Sequence, residues 1–193
     1  MSDKPRFPRA DAMRVARELC DALEPVCESE HLKVCGSLRR GKLDVGDVEL
    51  VYVPRVESRP GPADLFGNRE FRPVNLVDEV LEKMLRDGII ERRLNVNGSP
   101  AWGALNKLAR HVASGIPVDL FATTRRAWWS YIVCRTGSAK SNTAIATAAQ
   151  RKQMTWHPYE GHFTDCMGRE IPIVCEQDAF HIVGLPYKEP RDR

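Results

Sequence analysis

The residues with the clearest chemical content lie in one short stretch, Gly36-Ser37-Leu38-Arg39-Arg40-Gly41 followed by Gly46-Asp47-Val48-Glu49-Leu50-Val51. Its first half joins a glycine-serine turn to two guanidinium groups, a combination suited to holding phosphate. Glycine lets the backbone approach a ligand closely, and arginine pairs with phosphate oxygens. Its second half alternates two carboxylates with Val48, Leu50 and Val51, so it reads as a strand with both acids on one face. Two acids side by side in an apolar run are costly unless a cation sits between them. A hard, oxygen-ligated ion such as magnesium fits. A phosphate holder beside a cation holder points to chemistry on a nucleoside triphosphate. Either half alone is a weak signal, because surface loops and solvated strand faces look similar; their adjacency carries the reading.

A third acid, Asp119, sits among apolar neighbours in Ile116-Pro117-Val118-Asp119-Leu120-Phe121, where an unpaired carboxylate is unfavourable. Phosphoryl transfer with two metal ions needs several acids around ions a few ångströms apart. If the two strands are neighbours, Asp119 completes the set with Asp47 and Glu49.

The elements that must position these groups are legible in outline. Residues 10–27 read as an amphipathic helix with Met13, Ala16, Cys20, Leu23 and Cys27 along one face. Pro8 is placed to start that helix, which puts Arg6 beside its first turn, where an anion is welcome. Leu32–Cys35 is a short strand delivering Gly36 and Ser37, 41–46 is a turn, and Asp47–Val53 is the next strand, stopped by Pro54. Residues 55–75 are rich in proline, glycine and charge and read as a loop. Val77, Val80, Leu81, Met84 and Leu85 mark a second helix closed by Gly88. Ile89–Val96 is strand-like, 101–111 is ambiguous, and 116–121 is a strand. Trp128, Trp129 and Tyr131 read as core between two lobes. Thr136-Gly137-Ser138 breaks the chain, and Ser141–Lys152 is an alanine-rich helix.

With 193 residues, 42% hydrophobic and 28% charged, the chain suits one generous domain or two small lobes. No apolar run reaches membrane-spanning length, and the N-terminus lacks the apolar core of a secretion signal. The six cysteines form no CxxC pair, so reduced thiols and a cytoplasmic setting are expected, or the nucleoid or host cytoplasm if the source is viral. His157, His162, Cys166 and Cys175 match no zinc spacing. Net charge is only +3, but 120–159 contains no Asp or Glu while carrying Arg125, Arg126, Arg135, Lys140, Arg151 and Lys152. A positive lobe facing a carboxylate cluster suits a polyanionic substrate.

The stretch from Gly36 to Glu49 resembles the signature of the family X DNA polymerases, the DNA polymerase beta group of nucleotidyltransferases. The resemblance extends to Arg6-Phe7-Pro8-Arg9, to Thr136-Gly137-Ser138 with Asn142, to Tyr159-Glu160-Gly161, and to the tail Gly184-Leu185-Pro186-Tyr187-Lys188-Glu189-Pro190. It implies an α+β fold: a nucleotidyltransferase palm over 1–123, with a mixed sheet and flanking helices, and a small α/β thumb over 124–193. It implies Asp47, Glu49 and Asp119 as catalytic ligands of two Mg2+ ions, which Mn2+ can replace. Arg6, Gly36, Ser37, Arg40, Gly46, Cys134, Arg135, Thr136, Gly137 and Asn142 fall on nucleotide-binding positions. Lys140, Arg151, Lys152 and Tyr159 are expected to meet DNA. The partners are then gapped or primer-template DNA and a nucleoside triphosphate, acted on by a monomer that fills short gaps during repair.

Some features depart from the family. Only 35 residues precede Gly36, none of them glycine, so no lyase or helix-hairpin-helix module and no 5′-deoxyribose phosphate lyase activity are expected. Glu49 replaces the usual second aspartate. Cys134-Arg135 stands where two aromatics face the sugar, Pro117 replaces an arginine near the primer end, and Ala146 replaces an arginine on the template strand. These changes keep two other readings open: a template-independent, RNA- or protein-modifying nucleotidyltransferase, and a catalytically dead nucleic-acid-binding protein.

Overall fold

The computed structural model describes residues 5–193 apart from 64, 67, 68 and 96. Strand β1 (Phe7–Pro8) leads into helix α1 (Arg9–Leu23), a 3-10 turn, β2 (Cys27–Val34), the one-turn helix α2 (Gly36–Arg39), β3 (Asp44–Val45) and β4 (Val48–Pro54). Then come β5 (Val56–Ala63), β6 (Arg69–Asn75), α3 (Leu76–Arg86), β7 (Ile90–Arg92), β8 (Asn106–His111) and β9 (Pro117–Ala122). The remainder comprises α4 (Trp128–Thr136), α5 (Ala139–Arg151), β10 (Thr155–His157), β11 (His162–Thr164), β12 (Glu170–Pro172) and α6 (Asp178–His181).

The central sheet has the order β2-β4-β9-β8-β7, with β4 and β9 parallel and the other pairs antiparallel. Side chains alternate across it. Val48, Leu50 and Tyr52, with Val118 and Leu120, point to one face and pack under Leu19 and Leu23 of α1 and Leu81 and Met84 of α3. Val51, Val53 and Phe121 point to the other face and meet Trp128, Tyr131 and Ile132 of α4. Glu49 and Asp119 belong to this second face by the same alternation. The aromatics of α4 therefore form core between the lobes, as their sequence suggested. The next residue of α4, Val133, joins Ile145, Ala149, Phe163 and Phe180 in a separate core formed by α5, β10–β12 and α6. One helix is thus shared by both lobes, giving an α+β palm and thumb.

Several elements differ from the sequence reading. The first helix ends at Leu23, because Pro25 cannot continue it, and its buried face is Ala12, Val15, Ala16, Leu19 and Leu23. Met13 and Cys20 flank that face rather than lead it. Gly36 to Arg39 form a helical turn rather than a simple loop. The stretch 55–75 contains an antiparallel ribbon, β5 with β6, in register from Val56↔Asn75 to Pro60↔Phe71. A two-stranded ribbon has two outer edges, so prolines lacking a backbone donor are tolerated there. Gly67 and Asn68 of that stretch, and Val96 at the end of the expected third strand, lie outside the described residues; within them that strand is limited to Ile90–Arg92. Gly88 closes α3 as read, with φ of +69°. The amides of Gly88 and Ile89 bond back to Leu85 and Met84, a Schellman closure. Ser138 caps α5 by accepting from the Ser141 amide at 3.2 Å. All six cysteines are free. Among the described residues, no helix is long and apolar enough to cross a membrane.

Candidate active site

The two central parallel strands set the site. Their register places Glu49 directly opposite Asp119, and Asp47 precedes Glu49 by two residues, just before β4 begins. Paired residues on neighbouring strands are about 4.8 Å apart across the sheet. The acids thus come together on the face that α4 covers.

Gly36 is required for this arrangement. Its φ is +60°, and a Cβ there would overlap the carboxylate of Glu49. The Glu49 side chain lies flat against the Gly36 backbone, joining the phosphate-type turn to the acids. Burial, then Asp47 and Asp119, push the Glu49 carboxyl up to about 7, against the pull of Arg135 and Arg40. Burial also raises the Asp119 carboxyl, with Asp47 adding to it, while Arg93 and Arg135 pull the other way. Both carboxyls thus stand above their ordinary values despite these arginines.

The other residues singled out in the sequence are spread over both lobes. Arg40 donates to the Thr136 carbonyl at 2.7 Å and reaches from palm to thumb, while its buried Nε has no hydrogen-bond partner. Ser37 sits in the same turn, its carbonyl accepting from the Lys42 amide at 3.1 Å. Gly46 precedes Asp47, with open space where a Cβ would be. Pairing of β1 with β3 carries Arg6 to the rim of an open cleft shared with Gly41, Lys42 and Asp44.

On the thumb side, Asn142 donates to the Cys134 carbonyl at 2.8 Å. Its Oδ1 lies against Gly137, buried and without a partner; any side chain at position 137 would collide with it. Thr136 is buried, its hydroxyl taken by Arg39 at 2.7 Å, so it serves the joint between lobes. The Arg135 guanidinium lies 3.6 Å from the Phe121 ring centroid, with Tyr131 and Tyr159 further out. Arg135, Tyr131 and Tyr159, with Asn106 and Thr123, line a cavity of about 340 Å3. Tyr159 therefore sits with Arg135 and Cys134. Lys140 and Arg151 lie at opposite ends of one face of α5, about 16 Å apart along its axis. The Lys152 ammonium donates to the Ile182 carbonyl at 3.0 Å, tying α5 to α6.

Two features were not anticipated from the sequence. Arg93, just past β7, pairs with Asp119 Oδ1 at 2.5 Å, and its Nε points to the Ala109 carbonyl at 3.4 Å. It follows Arg92 in a charged run, Glu91-Arg92-Arg93, and nothing in that run marks which side chain turns inward. The second is a buried ion cluster. Glu176 binds Arg39 through both oxygens and Arg193 at 2.7 Å. These ion pairs and hydrogen bonds hold the Glu176 carboxyl below the ordinary range despite burial.

The DNA polymerase beta palm family matches residues 6–126, and the DNA polymerase beta thumb family matches residues 131–193. DNA polymerase lambda of Rattus norvegicus is 26% identical over 199 residues, covering 97% of this chain and 33% of the relative. The chain spans about a third of the length of that curated relative. Palm and thumb follow one another here as the strand register and shared helix divide them, and the chain belongs to family X, the DNA polymerase beta group.

Proposed function

We propose that this chain is a nucleotidyltransferase that adds deoxynucleotides to a primer 3′-hydroxyl on gapped DNA, with a catalytic palm over 1–123 and a thumb over 124–193. The observation that carries the reading is the register of Glu49 with Asp119 on parallel central strands, with Asp47 two residues before Glu49. The donor set fits hard divalent ions: carboxylates only, partly buried, with Asp47 and Asp119 raising the Glu49 carboxyl and Asp47 raising that of Asp119, as acids do where a cation is wanted. Asp47, Glu49 and Asp119 would hold two Mg2+ or Mn2+ ions, which when bound lower the pKa of the primer hydroxyl and neutralise the triphosphate and departing pyrophosphate.

The remaining residues bind and orient. Ser37, Arg40 and Arg6 supply donors to the triphosphate, and Gly36 keeps the backbone clear for both phosphate and Glu49. Asn142, Gly137 and Arg135 define the wall against which sugar and base rest. Lys140 and Arg151 present charge to the DNA backbone, so binding weakens with salt. The task we assign to this activity is the filling of short gaps during repair.

A second reading, template-independent extension, is favoured by Cys134 and Arg135 at positions where the family has aromatics. One assay separates the two: extension of a gapped duplex and of a single strand, with each dNTP and NTP, in magnesium and in manganese. Templated incorporation on the gap supports the first reading. Untemplated addition to single strands supports the second. Binding without incorporation on any substrate leaves only a nucleic-acid-binding role.

A further inference from the structure

A second cluster of metal-ligand side chains lies in the thumb, on the hairpin joining β10 to β11. His157 and His162 are direct cross-strand partners, one at each side of the turn. Their rings stack with centroids 4.8 Å apart and planes at 25°. Glu160 stands in the turn between them. One ligand atom from each of the three lies within 4.8 Å of the others. A tetrahedral ion with bonds near 2.0–2.1 Å needs ligand atoms roughly 3.4 Å apart, so small side-chain rotations close the set.

The turn itself is held in place. Gly161 has φ of +87° and packs directly on the Arg126 carbonyl, and its own carbonyl accepts from the Ile173 amide at 2.9 Å. The Glu160 and Gly161 amides both bond to the His157 carbonyl, at 3.1 and 3.0 Å. His162 is 4% exposed, yet neither ring nitrogen has a partner at ordinary hydrogen-bond length. Nδ1 faces the Glu160 carbonyl at 3.5 Å, and Nε2 faces Glu170 at 3.7 Å. Whichever nitrogen takes an ion, the other faces an oxygen that a small ring rotation brings within hydrogen-bond reach, as for a ligating histidine. Arg126 pairs with Glu170 and neutralises it, leaving Glu160 as the available carboxylate.

We propose that His157, Glu160 and His162 bind a transition-metal ion of the zinc class, with water completing the coordination. Two imidazoles and a carboxylate suit Zn2+, Co2+, Ni2+ or Cu2+ and not Mg2+, so this site is chemically separate from the palm acids. Its role is structural. The ion staples the hairpin whose turn carries Tyr159, and so fixes the tyrosine that edges the Arg135 cavity. Cys166 and Cys175, which share this part of the sequence, are not members of the cluster.

The test uses the full chain, stripped with EDTA and titrated with Co2+ without nucleotide or DNA. The expected result is a four-coordinate visible absorption that saturates at one equivalent, displaced by Zn2+ but not by millimolar Mg2+. His157→Ala, at a half-exposed position, should abolish the spectrum, and Glu160→Gln should weaken binding by about tenfold or more. Asp119→Asn should leave it unchanged, whether or not the palm supports incorporation. No four-coordinate spectrum, a spectrum that survives His157→Ala, or one lost in Asp119→Asn overturns the proposal.

Discussion

Two acid clusters lie on either side of the Gly36–Arg40 turn, and they are electrostatic opposites. In the palm, Glu49 and Asp119 face one another with Asp47 nearby, and burial with mutual repulsion raises their carboxyls. At the joint between lobes, Glu176 is buried but sits between Arg39 and Arg193, and its carboxyl is held low. The same turn serves both: Arg39 goes to the joint, while Gly36 bears the Glu49 side chain. The contrast teaches that burial alone does not mark function. A buried acid whose paired cations outweigh its burial holds structure together, whereas neighbouring acids whose carboxyls stay raised despite nearby arginines are, on our proposal, placed to take a cation.

The sharpest way to break this comparison is to neutralise one acid of each cluster. Glu49→Gln should lower incorporation by roughly three orders of magnitude, because a ligand of the reacting centre is lost. The metal-free protein should meanwhile become more stable, since a repelling charge is removed; denaturant melts in EDTA check this. Glu176→Ala should do the reverse. It leaves Arg39 and Arg193 buried without their partner and should destabilise the fold by about 3–5 kcal/mol, read from urea midpoints at constant slope.

A smaller effect is expected at Arg93, which lends the palm cluster its nearest positive charge. Arg93→Ala should lower incorporation by about 10- to 100-fold, as for groups that orient a metal ligand, and shift the half-saturating Mg2+ concentration. Arg93→Lys should restore only part, because a single ammonium cannot hold Asp119 and the Ala109 carbonyl together. An Mg2+ requirement and rate unchanged in Arg93→Ala would show that the pair is incidental.

The smallest effect is in pH, and the two clusters give opposite signs. The folded Glu49 carboxyl is raised to about 7, so its contribution to stability is full below the ordinary carboxylate value and is lost as pH rises through about 7. The folded Glu176 carboxyl is lowered, so its contribution is present above the ordinary value and is lost as pH falls through its folded value. Between pH 5 and 8, EDTA-treated wild type should lose stability relative to Glu49→Gln. Below pH 4.5, wild type should lose stability relative to a variant lacking the Glu176 charge.

How far each cluster was legible in the sequence follows from its range. Asp47 and Glu49 alternate with apolar residues, and Asp119 interrupts an apolar run, so local pattern alone marked all three. The glycines at 36 and 88 announce turns because few other residues adopt their backbone angles. The joint was invisible, since Arg39, Glu176 and Arg193 look like surface charges until the chain folds and brings residues 137 positions apart into contact. Arg93 was hidden for the same reason. The β5–β6 ribbon was misread because proline density suggested a loop, whereas a two-stranded ribbon tolerates proline on its outer edges. The first helix was found but read four residues too long, past Pro25, and its buried face was one residue off, because Cys20 and Met13 look as apolar as Val15 and Leu19.

The account rests on Asp119 acting with Asp47 and Glu49 on the triphosphate, and one measurement addresses that directly: single-turnover incorporation into a one-nucleotide gap by wild type and Asp119→Asn, with duplex binding measured alongside by fluorescence anisotropy. The account predicts that Asp119→Asn binds the gapped duplex within about twofold of wild type and incorporates about 10³-fold more slowly. Incorporation by Asp119→Asn at the wild-type rate would contradict it.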